Sequence, residues 1–433
     1  MTAERRAGPA IAFRSIGTPR LLAAGWQPAS SGLVAHRQAH QPRRLPDRTQ
    51  LTNDVNTVAL RGRGGAGFPV GRKLESLPRR GADSVVVNGS EGEPLSFKDR
   101  VLMRRFPHLV IDGALAVANA ARARRVMIVT ADEESLASLQ VATAERVAAG
   151  IDNQRAHIVA APGRFVSGEA RAVVELLDGR VATPIGRRIL PTRHGVGGRP
   201  TFLSNAETFA QIALLVSLGT FDFAQTGVAG EPGTSLLTVA GAVERPGVVE
   251  VPTGIPLSVL LAESGAHPGA VLFGGYHGSW LGVPDVQLSR NGLADAGGSF
   301  GAGSVTVLGN DTCAIGEIAR VARWLAGESM RQCGPCMFGL DALADDIERL
   351  EAGDARDWAQ VQNLLVITPG RGACAHPDGA VRFLASSLRV FAGEINRHVR
   401  DGGCGRPVLG HLPVDGIPPP RRTTPASHRK AAV

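Results

Sequence analysis

Between residues 50 and 215, short apolar runs alternate with longer segments whose apolar residues recur every three to four positions. The runs predict buried strands, and the longer segments predict helices. The predicted strands are 84–87, 125–129 and 157–159, and the predicted helices are 51–60, 109–121 and 133–149. Strands that alternate with helices form a parallel sheet covered on both faces, so the pattern predicts an α/β domain over residues 50–227.

A shorter, strand-rich unit follows a linker predicted at 228–234. Its predicted strands are 235–239, 248–251 and 270–273, and its predicted helix is 257–264. Beyond residue 315, four apolar stripes with helical spacing and short connections predict a four-helix bundle over 310–402. The stripes span 318–325, 340–350, 358–365 and 381–395. We expect a loose arm over 1–49, where periodicity is lacking, and a disordered tail over 415–433.

Composition and charge exclude several classes of function. Apolar residues make up 43% of the 433 residues and charged residues 20%, which is ordinary for a globular chain. No apolar run approaches the ~18 residues of a membrane-spanning helix, so we expect no direct membrane insertion. The net charge is +8, but aromatic residues make up only 4%. A basic face interleaved with aromatic residues is not indicated, so we expect no nucleic-acid partner.

Four glycines fall within six residues at 62–67. The segment matches G-x-G-x-x-G, but the preceding segment is predicted to be helical, whereas the dinucleotide fingerprint needs a strand there. Closely spaced glycines still let a backbone approach a flat or phosphorylated ligand with its amide groups free. The alternative is a flexible surface loop.

A polar segment at 88–94 directly follows the first predicted strand, which is where open α/β sheets bind ligands. Lys73 and Lys98 flank this segment in a chain that uses arginine for nearly every other positive charge. A lysine there favours a role for a compact point charge, with a chance salt bridge as the alternative.

The five cysteines are an odd number in a long chain with no predicted signal peptide, which argues against a disulfide scaffold. Cys333 and Cys336 form a C-x-x-C pair between two predicted helices, and Cys374 lies at another helix boundary. This arrangement suits an iron–sulfur cluster or a zinc site. A redox disulfide is the alternative, but its usual βαβ context is missing.

Together these segments resemble the flavin-binding, NADH-oxidising subunit of respiratory complex I and its relatives in soluble hydrogenases and formate dehydrogenases. Family members carry G-R-G-G-A-G-F-P-T-G-x-K, N-A-D-E-G-E-P-G-T-F-K-D-R, Y-I-C-G-E-E-T-A, G-x-P-T-x-x-N-N-x-E-T and E-S-C-G-x-C-x-P-C-R. The matching segments here are 62–73, 88–100, 165–172, 198–208 and 328–337. The resemblance covers roughly residues 50–400 in the family's order.

This resemblance implies three modules. They are an FMN-binding α/β domain over 50–227, a β-grasp domain over 233–300 and a helical domain over 310–402 that holds a 4Fe–4S cluster. It also implies that electrons pass from NADH through FMN to the cluster, and on to a partner or quinone pathway. The implied partners are the nicotinamide nucleotide and a small iron–sulfur subunit of a larger redox complex. We expect a cytoplasmic protein, either free or peripheral at the inner face of the membrane.

Carried over position by position, the resemblance assigns roles to individual residues. The implied cofactor-binding residues are Gly62, Arg63, Gly64, Gly65, Gly67, Phe68, Lys73, Asn88, Ser90, Glu91, Phe165, Gly168, Arg187, Ser204 and Asn205. The implied catalytic residues are Glu93 and Glu169. The implied cluster ligands are Cys333, Cys336 and Cys374.

Several positions depart from the family's pattern. Met330 stands in place of the first cluster cysteine, so three of four thiolates remain. We expect Met330 to face the same pocket, with His376, Cys313 or water as the fourth ligand, or a zinc ion held by three cysteines and His376. Ser90 replaces an aspartate, and three further replacements affect the NADH side: Phe165, Ala170 and Leu190. A second hypothesis is therefore a degenerate, non-catalytic paralogue with an assembly or electron-relay role.

Overall fold

The computed structural model describes residues 11–23, 32–40, 44–152, 156–186, 189–267, 269–282, 285–356 and 358–414. The strands among them are β1 (Phe13–Ser15), β2 (Ser84–Gly89), β3 (Arg125–Thr130), β4 (Ala156–Ala160), β5 (Thr201–Asn205), β6 (Gly227–Val228), β7 (Glu231–Pro232), β8 (Thr234–Gly241), β9 (Gly247–Pro252), β10 (Gly269–Phe273), β11 (Ser279–Leu281) and β12 (Ser304–Gly309). The predicted tail at 415–433 lies outside the described residues.

The helices of the described residues precede, connect and follow these strands. They are α1 (Leu33–Ala39), α2 (Arg48–Thr57), α3 (Val70–Glu75), α4 (Lys98–Arg105), α5 (Pro107–Ala121), α6 (Glu133–Ala148), α7 (Ala170–Leu177), α8 (Ala206–Leu218), α9 (Thr220–Phe223), α10 (Leu257–Glu263), α11 (Arg290–Asp295), α12 (Ala314–Gly327), α13 (Leu340–Glu351), α14 (Trp358–Ile367), α15 (His376–Val390) and α16 (Ala392–Asp401).

The predicted α/β domain is confirmed as a four-stranded, wholly parallel sheet in the order β4-β3-β2-β5. Because side chains alternate along a strand, Val85 and Val87 pack with α5 and α8 on one face, whereas Val86 packs with α7 on the other. Helix α5 lies so close to α8 that a Cβ on Gly113 would clash with the backbone oxygen of Phe209. The sheet is therefore buried on both sides, which explains its continuous apolar runs.

The strand-rich unit is a six-stranded mixed sheet in the order β1-β9-β8-β12-β10-β11. Its three predicted strands are confirmed in β8, β9 and β10, and its predicted helix is α10. The expected boundary at residue 300 is wrong, because β12 continues the sheet to residue 309 between β8 and β10. Strands β6 and β7 form a small hairpin inside the predicted linker.

The expectation of a loose N-terminal arm is wrong for residues 11–23. Strand β1 pairs in parallel with β9, and Leu21 and Leu22 are buried. The backbone N–H groups of Arg20, Leu21 and Leu22 donate to the Glu250 carboxylate at 2.9–3.1 Å. A three-residue strand is too short to show a period, and its anchor lies more than 200 positions away, so no local pattern could reveal it.

The C-terminal region contains five described helices, α12 to α16, rather than the four expected. The fourth predicted stripe is divided at Phe391, which ends α15 and begins α16. Leu343, Ile347, Ile318 and Phe383 belong to its core. None of the helices that the structure describes has both the length and the apolarity needed to cross a bilayer.

Candidate functional site

The glycine segment forms a closed loop between α2 and α3. The Gly62 N–H donates to the Phe68 carbonyl at 2.9 Å, and Gly65 and Gly67 have left-handed φ values of 95° and 61°. A Cβ on Gly64 would lie 3.4 Å from the Cβ of Asn205. The loop therefore crosses the C-terminal end of β5, while Phe68 at its far side is 41% exposed.

Arg63 anchors this loop to the six-stranded sheet. Its backbone N–H donates to Thr208 Oγ1 at 2.9 Å, and its guanidinium donates to Ser235 Oγ at 2.7 Å and the Thr234 carbonyl at 3.2 Å. Glu231 lies 3.7 Å from the same guanidinium. The buried guanidinium of Arg63 therefore binds groups of the protein itself. Through these contacts Arg63 holds the glycine loop in position.

Two further loops meet at the same edge of the parallel sheet. Asn88 Nδ2 donates to the Gly168 carbonyl at 2.7 Å, and the Asn88 side-chain oxygen accepts from the Ser90 N–H at 3.1 Å. A Cβ on Gly168 would clash with the Ser90 backbone oxygen, so the loops pack backbone against backbone. Asn88 and Asn205 are register partners at the ends of β2 and β5. Ser204 lies buried one position earlier on β5.

Lys73 also faces this edge. Its ammonium donates to the Leu203 carbonyl at 2.8 Å and lies 5.5 Å from the centroid of the Phe202 ring. No carboxylate of the described residues forms an ion pair with it. Burial lowers the pKa of Lys73 from 10.5 to about 8. We call Gly64, Lys73, Asn88, Ser90, Gly168, Glu169 and Asn205 the edge site.

Two buried polar atoms of the edge site have no hydrogen-bond partner among the described residues: Ser90 Oγ and Glu169 Oε2. Burial raises the pKa of Glu169, against the effect of backbone N–H donors at the start of α7. Buried polar atoms without partners cost free energy, which a polar ligand would recover. These atoms, the glycine loop and the ammonium of Lys73 fit a ligand that offers both donors and anionic oxygens.

Glu91 and Glu93 follow Ser90 but are occupied by protein donors. The Glu91 carboxylate accepts from the N–H groups of Asp99 and Arg100 at 3.2 and 3.1 Å, and so caps α4. Burial raises the pKa of Glu91. Glu93 accepts from the N–H groups of Tyr276 and Leu95 at 2.8 and 3.1 Å. Burial raises the pKa of Glu93 from 4.5 to about 7.

Phe165 lies where the α/β domain meets the C-terminal helices. Its ring packs edge-on against His277 at 4.6 Å, Trp324 at 5.1 Å and His376 at 5.6 Å between centroids. Its backbone N–H donates to the Glu328 carboxylate at 2.8 Å. The ring of Phe165 is therefore part of an interdomain aromatic cluster. Arg187 lies outside the described residues.

Cys333, Cys336 and Cys374, the three-cysteine cluster, interact electrostatically with one another. Burial raises the pKa of Cys336 to about 11, and the nearby thiols of Cys333 and Cys374 add to the rise. Burial, then the charges of Glu169 and Cys333, raise the pKa of Cys374. At least one pair of these three sulfurs is separated by more than 4.8 Å. Iron and sulfide atoms between thiolates require wider spacing than a single ion does.

Neither protein side chain expected as the fourth ligand is available there. His376 uses both ring nitrogens, since Nε2 contacts the Leu325 carbonyl at 2.8 Å and Nδ1 contacts His277 Nε2 at 3.1 Å. Cys313 lies instead beside His398, 3.4 Å from its Nε2 atom. Both assignments are wrong. They were based on the positions of His376 and Cys313 near helix ends in the sequence, and the sequence does not show which way a helix end faces.

Sequence reasoning gave Asp99 and Glu207 no role. Lys98 is buried and forms ion pairs with Asp99 at 2.9 Å and Glu207 at 3.0 Å, which raise its pKa despite the opposing effect of burial. Asp99 also accepts from Asn205 Nδ2 at 3.1 Å. The salt-bridge alternative thus holds for Lys98. The sequence signal for the ion pair with Asp99 was the K-D-R run of the second family motif, in which Asp99 directly follows Lys98.

Comparison with known proteins identifies the family. A family model described as the Nuo51 FMN-binding domain matches residues 55–214, and one described as the NADH-ubiquinone oxidoreductase-F iron-sulfur binding region matches 316–398. The NADH-quinone oxidoreductase F 2 subunit of Rhizobium meliloti is 31% identical over 417 residues, which cover 91% of this chain and 98% of the relative. The chain belongs to the family of NADH-quinone oxidoreductase F subunits. The resemblance seen in the sequence is confirmed.

Other members of this family are similarly related. The NADH-quinone oxidoreductase F subunit of Mycobacterium tuberculosis is 32% identical over 377 residues, covering 81% of this chain and 84% of the relative. The one from Escherichia coli is 27% identical over 395 residues, covering 86% and 88%. A chain of the NAD⁺-reducing [NiFe]-hydrogenase in the air-oxidized state superimposes with a TM-score of 0.78 at 26% identity, over 92% of this chain and 68% of the other.

Proposed function

We propose that this member of the family is the NADH-oxidising flavoprotein of a larger redox complex, in which electrons pass from NADH through FMN to an iron–sulfur cluster. The observation that carries the proposal is that an FMN-binding domain and an iron–sulfur binding region match in one chain. In the structure, the ring of Phe165, which precedes Glu169 by four residues, packs against the ring of His376, two residues after Cys374, with 5.6 Å between centroids. The two regions that would hold the two groups therefore adjoin.

The edge site supplies the groups that would hold FMN. Ser90 Oγ is a buried hydroxyl without a partner, and Lys73 is an ammonium without a paired carboxylate among the described residues. The glycine loop allows close approach of a flat ring system, because Gly64 and its neighbours carry no side chain there. When bound, FMN converts the two-electron chemistry of NADH into single-electron steps. We assign the remaining cofactor-binding roles implied by the resemblance to the same edge.

Glu93 and Glu169 remain our proposed catalytic residues, with different tasks. Glu169 is half-buried beside Ser90 and retains an unpartnered oxygen, so it can orient a polar group of the substrate or the flavin. Glu93 has a pKa of about 7 and can hold or release a proton near neutral pH. Both of its oxygens accept backbone hydrogen bonds from Leu95 and Tyr276, so its proton affects how the domains are joined.

The three-cysteine cluster would hold the iron–sulfur group. Ser329 donates to Cys336 and thereby favours its thiolate. In the sequence, Met330 stands where the family motif has the first cluster cysteine, and a neutral thioether is a weak ligand for iron. We propose a 4Fe–4S cluster with one labile corner. Degradation to a three-iron form would follow from loss of that corner.

The domain organisation, partners and location extend the same proposal. We assign FMN and NADH binding to 50–227, a β-grasp-type domain to the part of the six-stranded sheet that follows residue 233, and cluster binding to 310–402. The names of the relatives describe subunits of NADH-quinone oxidoreductases, and the structural neighbour belongs to a hydrogenase. We therefore propose a small iron–sulfur partner subunit, and a cytoplasmic location, either free or peripheral at the inner face of the membrane.

A visible absorption spectrum of the purified protein tests the proposed function. We expect flavin bands that bleach when NADH is added anaerobically. Released flavin identified as FMN by mass would confirm the cofactor. A protein that stays colourless after incubation with FMN would contradict the proposal and favour the non-catalytic paralogue.

A further inference from the structure

A second group of metal-binding side chains lies apart from the three-cysteine cluster. Cys313, Glu394, His398 and Cys404 each offer one ligand atom, and these atoms all lie within 4.8 Å of one another. We call them the C-terminal cluster. It is the one such group among the residues that the structure describes. We propose that it binds a structural zinc ion that fastens the C-terminal segment to the helical region.

The fold brings these four residues together from three places. Cys313 caps the N-terminus of α12, and Glu394 and His398 lie one turn apart on the same side of α16. Gly402 then ends α16 with a left-handed φ of 75°, which turns the chain so that Cys404 returns to Cys313. Three of the four side chains are buried, at 2–6% exposure. This convergence is not explained by the flavin or by the three-cysteine cluster.

His398 is oriented as metal-binding histidines are. Its Nδ1 atom lies 2.6 Å from the Glu351 carbonyl, which can only accept, so Nδ1 carries the proton. The Nε2 lone pair consequently points at Cys313 Sγ, 3.4 Å away. Tetrahedral zinc with ordinary Zn–S and Zn–N bond lengths would separate these atoms by about 3.6 Å. A backbone carbonyl on the second ring nitrogen is a common outer partner of such ligands.

Burial, Cys404 and Glu394 raise the pKa of Cys313, so zinc binding here would release the thiol proton, and nearby N–H groups and an arginine would stabilise the anionic ligands. The Gly316 N–H donates to Cys313 Sγ at 3.3 Å, and the Ala314 N–H donates to a Glu394 oxygen at 2.8 Å, both at the positive end of α12. Arg406 forms an ion pair with Glu394 and also contacts Cys404. Two thiolates, one imidazole and one carboxylate form a four-ligand set that favours zinc.

A metal ion could reach the C-terminal cluster through a neighbouring cavity. Once bound, it would help to hold the segment that follows Cys404. A cavity of about 240 Å³ borders Glu394 and is lined by Phe391, Arg397 and Arg406 among others. The segment after Cys404 wraps around Glu317, whose carboxylate accepts from the N–H groups of residues 409–412. Zinc would add a strong attachment at the start of this wrapped segment.

The test is zinc content after loading the full-length protein with Zn²⁺ alone and dialysing against a weak chelator. We expect one tightly held equivalent in the wild type that is retained by Cys374→Ser, the matched change in the other cluster. Cys404→Ser and His398→Gln should lose it, with zinc affinity reduced by more than the 10- to 100-fold typical of an outer partner. Zinc retained in Cys404→Ser, or lost only in Cys374→Ser, would overturn the proposal.

Two measurements on the unmutated protein do not depend on how the variants fold. Alkylation in denaturant after chelation should modify all five cysteines. Protection of Cys313 and Cys404 would show a disulfide and overturn the proposal. With free Zn²⁺ at a hundred times its dissociation constant, tryptic cleavage after Arg400 should slow by about 100-fold if cleavage needs the cluster to open. A rate independent of zinc would contradict the fastening role.

Discussion

At the scale of single residues, Lys73 and Glu93 have the most informative ionisation. Burial moves their pKa values toward neutral pH from opposite sides, to about 8 and about 7. Lys73 donates to a backbone carbonyl, whereas Glu93 accepts from two backbone N–H groups. The lysine therefore has two N–H donors left for a ligand, whereas each oxygen of the glutamate already accepts one backbone hydrogen bond.

Replacing Lys73 tests the assignment of the flavin site. We expect Lys73→Met to raise the dissociation constant for FMN by about 10- to 150-fold, because a hydrogen bond to a charged group contributes about 1.5–3 kcal/mol. Titration followed by quenching of flavin fluorescence measures the effect. Arg72→Met, at the exposed neighbouring position, is the control and should bind FMN like the wild type. Equal affinities for both variants would refute the assignment.

The pH dependence of FMN binding tests the same group independently. Because the pKa of Lys73 is about 8, the ammonium deprotonates above that pH, and we expect FMN affinity to fall as the pH rises through 8. The Lys73→Met variant should lack this decline. An unchanged affinity of the wild type across this range would show that the ammonium does not contact the flavin.

Glu93 should affect stability through its raised pKa. The folded protein binds the proton more tightly than the unfolded chain, so the contribution to stability is full below pH 4.5 and is lost as the pH rises through about 7. We expect Glu93→Gln to remove a decline of roughly 3 kcal/mol in the free energy of unfolding over that range. Urea unfolding at several pH values measures it. The exposed Glu263→Gln variant should keep the wild-type slope.

At the scale of elements, the glycine loop combines conformational and packing requirements. Gly67 has a left-handed φ, and a Cβ there would clash with the Arg290 guanidinium. We expect Gly67→Ala to destabilise the protein by about 1–2 kcal/mol from the backbone alone, measured by urea unfolding. Gly64→Ala meets only a 3.4 Å contact with Asn205 and should fold normally but bind FMN weakly. Equal stability of the two variants would contradict this account.

The connection between α12 and α13 provides a test of the cluster proposal. We expect anaerobically purified wild type to contain substoichiometric, oxygen-sensitive iron and sulfide. Met330→Cys should approach the full content of a 4Fe–4S cluster, because it restores the fourth thiolate. Met337→Cys, at an exposed position one residue after Cys336, is the matched control and should behave like the wild type. Equal gains in both variants would exclude a specific role for position 330.

At the scale of the whole molecule, the aromatic cluster joins the α/β domain, the six-stranded sheet and the C-terminal helices. Phe165, His277 and Trp324 come from these three regions, and Tyr276 contacts Trp324 with 5.6 Å between centroids. The same contact region brings Glu169 into electrostatic range of Cys374. Relative placement of the edge site and the three-cysteine cluster therefore depends on this junction.

Trp324→Leu should weaken that junction. We expect a loss of roughly 2–4 kcal/mol in the free energy of unfolding, because a buried aromatic side chain is replaced by a smaller one. Trp358→Leu, on half-buried α14, should cost less and is the control. Chemical unfolding followed by circular dichroism measures both. If the two changes cost the same, Trp324 has no special role in joining the domains.

The sequence alone determined most elements of the α/β domain and the strands β8, β9 and β10. Buried parallel strands such as 84–87 are continuously apolar, and helices such as α5 and α6 show their own period, so both signals are local. It also placed the candidate ligand-binding residues near strand ends, because parallel strands end at a shared edge. The family motifs then gave the candidate ligands their chemistry before any contact was known.

Only the tertiary structure decided which side chains are already occupied and by what. Arg63 is committed to Ser235, Lys98 to Glu207, and β1 to a sheet that begins over 200 residues later. The C-terminal cluster joins positions 313 and 404, which no spacing motif connects. Each of these contacts joins residues that are far apart in the sequence and come together only when separate elements pack. Sequence patterns show only how far apart two residues lie along the chain, so they do not reveal such contacts.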